Sequence, residues 1–274
     1  MTSQQLGERI YKNRTGLVIG GLLGVYTGGL FGLLFGAFIG YSLQQMLIGV
    51  KLGVLSPQQA FFEATFVVMG KIAKADGRVS ASEIQYARDV MARMNLPEDK
   101  RLQAMALFSQ GKQLDFDITP QVQALARLIR RRRSLKQMFV EIQLQAAFAD
   151  GSVSQQELQV IQQLCSLLAI SYPDLEIILR RCQAEQGFAD QTYQAHQAGN
   201  PNNPRLLEQA YAVLGVLPEV DDAELKKAYR RLMSQHHPDK LIARGLPPEM
   251  QQLAKEKTQE IQAAYERVKL SRAD

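Results

Sequence analysis

What this chain has little of narrows its chemistry. It holds two cysteines and three histidines in 274 residues. Cys165 and Cys182 lack the Cys-x-x-Cys spacing of a thiolate metal module or a redox pair, and read as reduced thiols of a cytoplasmic protein. Two of the histidines, His236 and His237, are adjacent, and the third, His196, lies in a polar stretch. No histidine constellation therefore argues for an enzyme, and no cofactor is implied. A phosphate-cradling glycine loop is also missing, because the glycines recur at a spacing that belongs to a membrane helix. The net charge of +5 is spread along the chain. No large domain is strongly basic, which leaves no compositional case for nucleic-acid binding. Strand signals are nearly absent after the first 55 residues, so the expected class is all-α.

The longest absence is of charge. No Asp, Glu, Lys or Arg occurs from Thr15 to Val50. About 20 apolar residues cross the hydrocarbon core, so the stretch is long enough for a transmembrane helix and too long for a signal peptide. Within it Gly16, Gly20, Gly24, Gly28, Gly32, Gly36 and Gly40 form an unbroken four-residue register. Residues four apart share one side of a helix, so this glycine zipper makes a groove through which two spans can approach closely. The expectation is a membrane homodimer or higher oligomer in contact with lipid. Arg9, Lys12 and Arg14 precede the span and only Lys51 follows closely. The positive-inside rule alone would leave the N-terminus in the cytoplasm and the rest outside. A single span with the C-terminal bulk in the cytoplasm is the preferred topology. A tight hairpin turning near Thr27-Gly28-Gly29 is the alternative.

After the span comes an internal echo. Ala75-Asp76-Gly77-Arg78-Val79-Ser80-Ala81-Ser82-Glu83 matches Ala149-Asp150-Gly151-Ser152-Val153-Ser154-Gln155-Gln156-Glu157. Apolar residues at helical spacing precede each copy (Phe62, Phe66, Met69 and Ile72; Phe139, Ile142 and Ala146). Each copy ends a helix, turns on glycine and starts another. Ser80 with Glu83 and Ser154 with Glu157 fit capping boxes, in which serine and acid satisfy exposed backbone donors reciprocally. The same segments look like the back half of a calcium loop, but Ile72, Lys74, Ala146 and Phe148 stand where the first ligands belong. Further on, Arg130-Arg131-Arg132-Arg133, with Arg127 and Lys136 nearby, reads either as a solvated helix face or as a surface set against anionic lipid.

The richest local signal is His237-Pro238-Asp239. Leu225, Ala228, Tyr229 and Leu232 before it repeat at helical spacing, and Asp221 or Asp222 can cap the start of that helix. Pro238 biases His237 away from the helical region, so the helix is expected to stop at about His236. Met250, Leu253, Ala254, Ile261, Ala264, Tyr265 and Val268 then mark a longer helix, packed antiparallel with His-Pro-Asp at the tip.

Four blocks here, in the right order and spacing, resemble the J-domain. They are Ala210-Tyr211-x-Val213-Leu214-Gly215-Val216, Leu225-Lys226-Lys227-Ala228-Tyr229-Arg230-Arg231-Leu232, His236-His237-Pro238-Asp239-Lys240 and Glu260-Ile261-Gln262-Ala263-Ala264-Tyr265-Glu266. The resemblance implies docking on a DnaK-type chaperone and stimulation of that partner's ATP hydrolysis. The docking residues would be Lys226, Lys227, Tyr229, Arg230 and Arg231 with His237, Pro238 and Asp239. Thr258 stands where many J-domains carry a large aromatic residue, and the connection Leu241 to Pro248 is long.

The doubled Asp-Gly-x-Val-Ser-x-x-Glu motif resembles the TerB-like helical domain of the tellurite-resistance family. That resemblance keeps Asp76, Glu83, Asp150 and Glu157 as carboxylates for a metal site, although capping explains them without one. The order of parts is similar to membrane-anchored J-domain co-chaperones of Gram-negative bacteria. It implies recruitment of DnaK at the inner membrane, with links to envelope-stress and capsule signalling. The expected division is a tail over 1–14, the membrane segment over 15–50 and a TerB-like domain over 56–186. A flexible linker over 187–204 and a J-domain over 205–274 complete it. A membrane scaffold or stress sensor acting mainly through the TerB-like domain is the competing reading.

Overall fold

Helix α1 (Pro57–Ile72) carries apolar residues on every side and is buried almost all round. A helix of that kind belongs at the centre of a bundle. Pro57 opens it, and Ser56 caps it by accepting from Gln59 N at 3.1 Å. The computed structural model describes residues 56–77, 79–198 and 204–273. These belong to one of two units, Ser56–Asp274. Around α1 lie α2 (Ala81–Arg93), α3 (Glu98–Gly111), α4 (Thr119–Leu128), α5 (Arg133–Ala147) and, after a 3-10 turn at Phe148–Asp150, α6 (Gln155–Leu167). Helices α3, α4, α5 and α6 all touch α1.

The α1–α3 crossing is the closest. A Cβ on Gly70 would stand 2.1 Å from the Phe108 carbonyl oxygen, and one on Gly111 2.0 Å from that of Val67. Only glycine permits backbones at that separation. Phe61 meets Phe139 edge-on at 5.2 Å, which fixes α1 against α5.

Both repeat copies adopt capping boxes. Ser80 Oγ accepts from Glu83 N (3.1 Å) while the Glu83 carboxylate accepts from Ser80 N (2.7 Å). Ser154 and Glu157 repeat the arrangement at 3.2 and 2.7 Å. Gly77 and Gly151 precede them at φ +88° and +99°, a conformation that favours glycine.

The stretch 187–204, read from its composition as a flexible tether, is helical as far as Ala198. It continues α7 (Tyr172–Ala198). Alanine and glutamine are good helix formers, and the stretch has an apolar anchor. Ala184 and Phe188 pack into the same cluster as Leu206, Ala210, Tyr211 and Leu214 of α8 (Pro204–Leu214). Gly187 lets the two helices close, since a Cβ there would meet the Gln209 side chain at 2.3 Å.

The remaining helices are α9 (Asp222–His236), α10 (Pro238–Ala243) and, after a 3-10 turn at Pro248–Met250, α11 (Gln251–Ala273). Leu225 and Leu232 of α9 meet Ile261, Ala264 and Val268 of α11 over α8. Arg272 near the end of α11 pairs with Asp222 at the start of α9 (2.7 Å), and Tyr229 stacks on Tyr265 midway, so the two run antiparallel. The long connection after the tip is ordered by burial of Leu241, Leu246 and Met250, with Gly245 at φ +109° making its turn.

Among the described residues there is no strand, and no helix is long and apolar enough to cross a membrane. The glycine register from Gly16 to Gly40 lies outside the described residues.

Candidate partner-docking site

The tip is built by local rules. Asp221 caps α9, its carboxylate accepting from Glu224 N at 2.7 Å. The helix ends at His236 because His237, ahead of proline, leaves the helical region (φ −58°, ψ 123°). The same His237 caps α10, with Nδ1 accepting from Asp239 N at 3.2 Å. Pro238 fills the first position of α10, where no backbone donor is needed. Lys240 Nζ donates to Ser234 Oγ (2.8 Å) and ties α10 back to α9.

His237 and Asp239 are exposed at this junction. So are Lys226, Lys227, Arg230 and Arg231, opposite the buried Leu225, Ala228 and Leu232. Their one- and four-residue spacing gathers them on one side of α9. Tyr229 is half-buried and already engaged, its ring 4.1 Å from that of Tyr265 at 14°. The fold thus places the His-Pro-Asp turn and the four basic residues on one helix and its exit, all exposed except the half-buried Pro238. Thr258 is buried, and its hydroxyl donates to Lys255 O (2.7 Å), so no aromatic residue fills that position of α11.

Sequence reasoning missed what lies behind the tip. His236, one residue before the exposed His237, is 1% exposed. It stands against Glu141 of α5, with Nδ1 3.5 Å from Oε2, and neither atom has a hydrogen-bond partner. Glu141 pairs with Arg181 of α7, Arg181 reaches Glu185 at 3.8 Å, and Glu185 pairs with Lys257 of α11. All five side chains are buried.

Burial opposes ionisation of Glu141, yet Arg181, His236 and Lys257 outweigh it and hold the carboxyl down at about 2. Burial pushes His236 down to about 4, although Glu141 pulls the other way, so the imidazole is neutral at neutral pH. Burial also works against the charge on Lys257, but Glu185 and Glu141 raise its pKa overall. Glu260, beside this layer, is pushed up to about 7, chiefly by burial. Outside the layer the same seam carries Arg93–Glu256 at 3.0 Å, Lys100–Glu249, and a bond from Arg132 to Arg244 O. No sequence motif marks any of these residues.

The repeat carboxylates do other work. Glu83 and Glu157 are buried and bonded in their capping boxes, and Asp150 accepts from Ser152 N at 3.3 Å. Burial raises the pKa of Glu157, and nearby Glu83 and Asp150 add to that shift. Among the described residues no group of three His, Cys, Asp or Glu side chains is placed to hold a metal ion.

An exposed His-Pro-Asp tip between antiparallel helices, carried on a bundle with a doubled capping box, defines a J-domain protein with a TerB-type partner domain. The chain matches the family model of tellurite resistance protein TerB over residues 62–179 and that of the DnaJ domain over 209–272. It is 46% identical over 219 residues to Co-chaperone protein DjlA of Coxiella burnetii, covering 79% of each chain. The Shewanella oneidensis protein of the same name is 42% identical over 233 residues, 85% of this chain and 84% of that one. That of Yersinia pseudotuberculosis is 41% identical over 268 residues, 93% and 96%. No solved structure matches the chain. The chain belongs to the DjlA family of co-chaperone proteins.

Proposed function

We propose that this co-chaperone binds a DnaK-type chaperone through His237, Pro238, Asp239 and the basic face Lys226, Lys227, Arg230 and Arg231, and stimulates its ATPase. The observation that carries this reading is the exposure of the tip and of the basic face, while His236 and Lys257 of the same domain pair with Glu141 and Glu185 of the bundle. Charge on the α9 face raises the rate and orientation of encounter with an acidic groove. Asp239 offers a carboxylate for a charge-assisted bond to a partner arginine. Hydrolysis takes place on the chaperone, whose ATPase this chain regulates.

The division into a membrane segment over 15–50, a TerB-like domain over 56–186 and a J-domain over 205–274 belongs to the same proposal. The segment 15–50 anchors the chain in the bacterial inner membrane as a single span, with the later domains in the cytoplasm. That is where an ATP-consuming partner works. The glycine register supports a homodimer of spans, for which Gly28→Leu is expected to abolish association in membranes. A role in envelope-stress and capsule signalling follows from the resemblance alone.

The decisive experiment is single-turnover ATP hydrolysis by the organism's DnaK-type chaperone, with the full chain added as wild type or Asp239→Asn. Stimulation by wild type and none by the variant supports the proposal. Equal stimulation by both, or by neither, overturns it.

A further inference from the structure

The arginine run at 130–133 occupies the connection between α4 and the start of α5. Its members have different fates. Arg132 turns inward, where its guanidinium donates to Arg244 O. Arg133 is exposed and pairs with Asp174 at 2.7 Å. Arg130 and Arg131 are exposed and make no ion pair with a described residue. With Arg133 and Lys136 they line an open cleft of about 300 Å³ whose only acidic member is Asp174. The cleft is therefore cationic beyond what its own carboxylate neutralises, and its floor includes the apolar Ala169 and Ile170.

Position gives the cleft its meaning. Gly245 lies between Arg132 and Pro57: a Cβ there would stand 2.8 Å from Arg132 Nη1 and 2.8 Å from Pro57 Cβ. Arg132 of the run thus reaches towards the first residue of α1, more than 70 residues away along the chain. Six residues separate Val50, the end of the uncharged segment, from Pro57. The seven steps from Val50 to Pro57 span at most ~25 Å fully extended, at about 3.3–3.6 Å per residue.

We propose that Arg130, Arg131, Arg133 and Lys136 form a docking surface for anionic phospholipid headgroups of the membrane that holds residues 15–50. The inference rests on the membrane reading of that segment. Basic residues are attracted to an anionic leaflet within a Debye length, about 8–10 Å at physiological salt, so the patch acts when the folded domain comes to the membrane surface. The patch also supplies, on the C-terminal side, positive charge that counting along the chain misses. It acts on the folded domain and not on insertion, because the insertion rule reads only residues near the span in sequence.

The test uses the full chain in lipid nanodiscs of phosphatidylcholine, with or without phosphatidylglycerol. A fluorophore is placed on Gln137→Cys, a residue lining the cleft. Cys165 and Cys182 are buried, and burial pushes both thiols up, Cys165 to about 12, so labelling is confined to the new cysteine. Quenching by spin-labelled headgroups is expected to rise with phosphatidylglycerol and to fall at about 1 M salt, where the Debye length is about 3 Å. In Arg130→Glu/Arg131→Glu the docked fraction is expected to fall by roughly tenfold or more. That variant removes no ion pair from the described fold, and an unchanged melting temperature checks this. Quenching that ignores lipid charge, or that survives the double reversal, overturns the docking surface alone. Equal relief of quenching by free inorganic phosphate at physiological concentration also overturns it, in favour of a soluble anion. A chain that does not enter the discs overturns the membrane reading and the surface together.

Discussion

His236 Nδ1 lies 3.5 Å from Glu141 Oε2, across the seam between the segment matching TerB and the segment matching DnaJ, and each residue is only 1% exposed. The next residue, His237, is exposed and caps the short helix that carries Asp239. The docking tip is thus one peptide unit from a buried polar layer that joins it to the bundle.

The layer makes stability depend on pH in two opposed ways. His236 is held at about 4 against an ordinary 6.5, so the unfolded chain takes up the proton first. Its contribution is complete above 6.5 and is lost as pH falls from 6.5 towards 4. Glu260 is pushed up from 4.5 to about 7, so its contribution is complete below 4.5 and is lost as pH rises towards 7. His236→Gln is expected to remove the acid-side loss, and Glu260→Gln the loss towards neutral pH. Urea unfolding at a series of pH values checks both. Three superimposable pH profiles would show that neither group titrates as its surroundings require.

Lys257 and Glu185 are expected to tolerate joint replacement better than single replacement. Lys257→Ala leaves the Glu185 carboxylate buried beside Glu141 with one cation fewer, a cost of about 3–5 kcal/mol. Replacing both with apolar residues of similar volume removes the uncompensated charge and costs less. Denaturant midpoints of the two single variants and the double variant decide it; additive losses would mean that the pair is not coupled.

The α1–α3 crossing predicts a contrast among glycines. Gly70→Ala or Gly111→Ala drives a methyl group into a backbone carbonyl, so the helices must part, at a cost of at least about 1–3 kcal/mol. Gly187→Ala meets only the end of the Gln209 side chain, which can move aside. There the helix-propensity gain of about 1 kcal/mol is expected to leave stability unchanged or raised. Thermal unfolding of the three variants measures the difference, and equal losses would refute the crossing geometry.

Neutralising Lys226, Lys227, Arg230 and Arg231 is expected to act on the rate of chaperone association. Each change should slow association and flatten its dependence on salt, while leaving dissociation nearly unaltered. Asp239→Asn should instead abolish stimulation at every salt concentration. Stopped-flow binding from low to physiological salt separates the two. A variant of the basic face with an unaltered salt slope would remove that face from the docking site.

What the sequence settled by itself is what neighbouring residues decide. Pro238 ends α9 at His236, Asp221 starts it, and Ser80–Glu83 and Ser154–Glu157 close their capping boxes, because each rests on partners within four residues. The all-helical class and the antiparallel hairpin were legible for the same reason: helical periodicity is a local signal. Helical register places His236 four residues after Leu232 on the buried face of α9, but tertiary structure alone decided that it stands against Glu141. It alone carried α7 through a polar stretch to Ala198, because Phe188 finds its partners on α8. It also brought Arg132 beside Pro57, and joined Arg93 to Glu256 across 163 positions. Such pairings depend on where helices pack against one another. That is set by the summed burial of many side chains and close approaches such as Gly70 on Phe108, and no short stretch of sequence contains it.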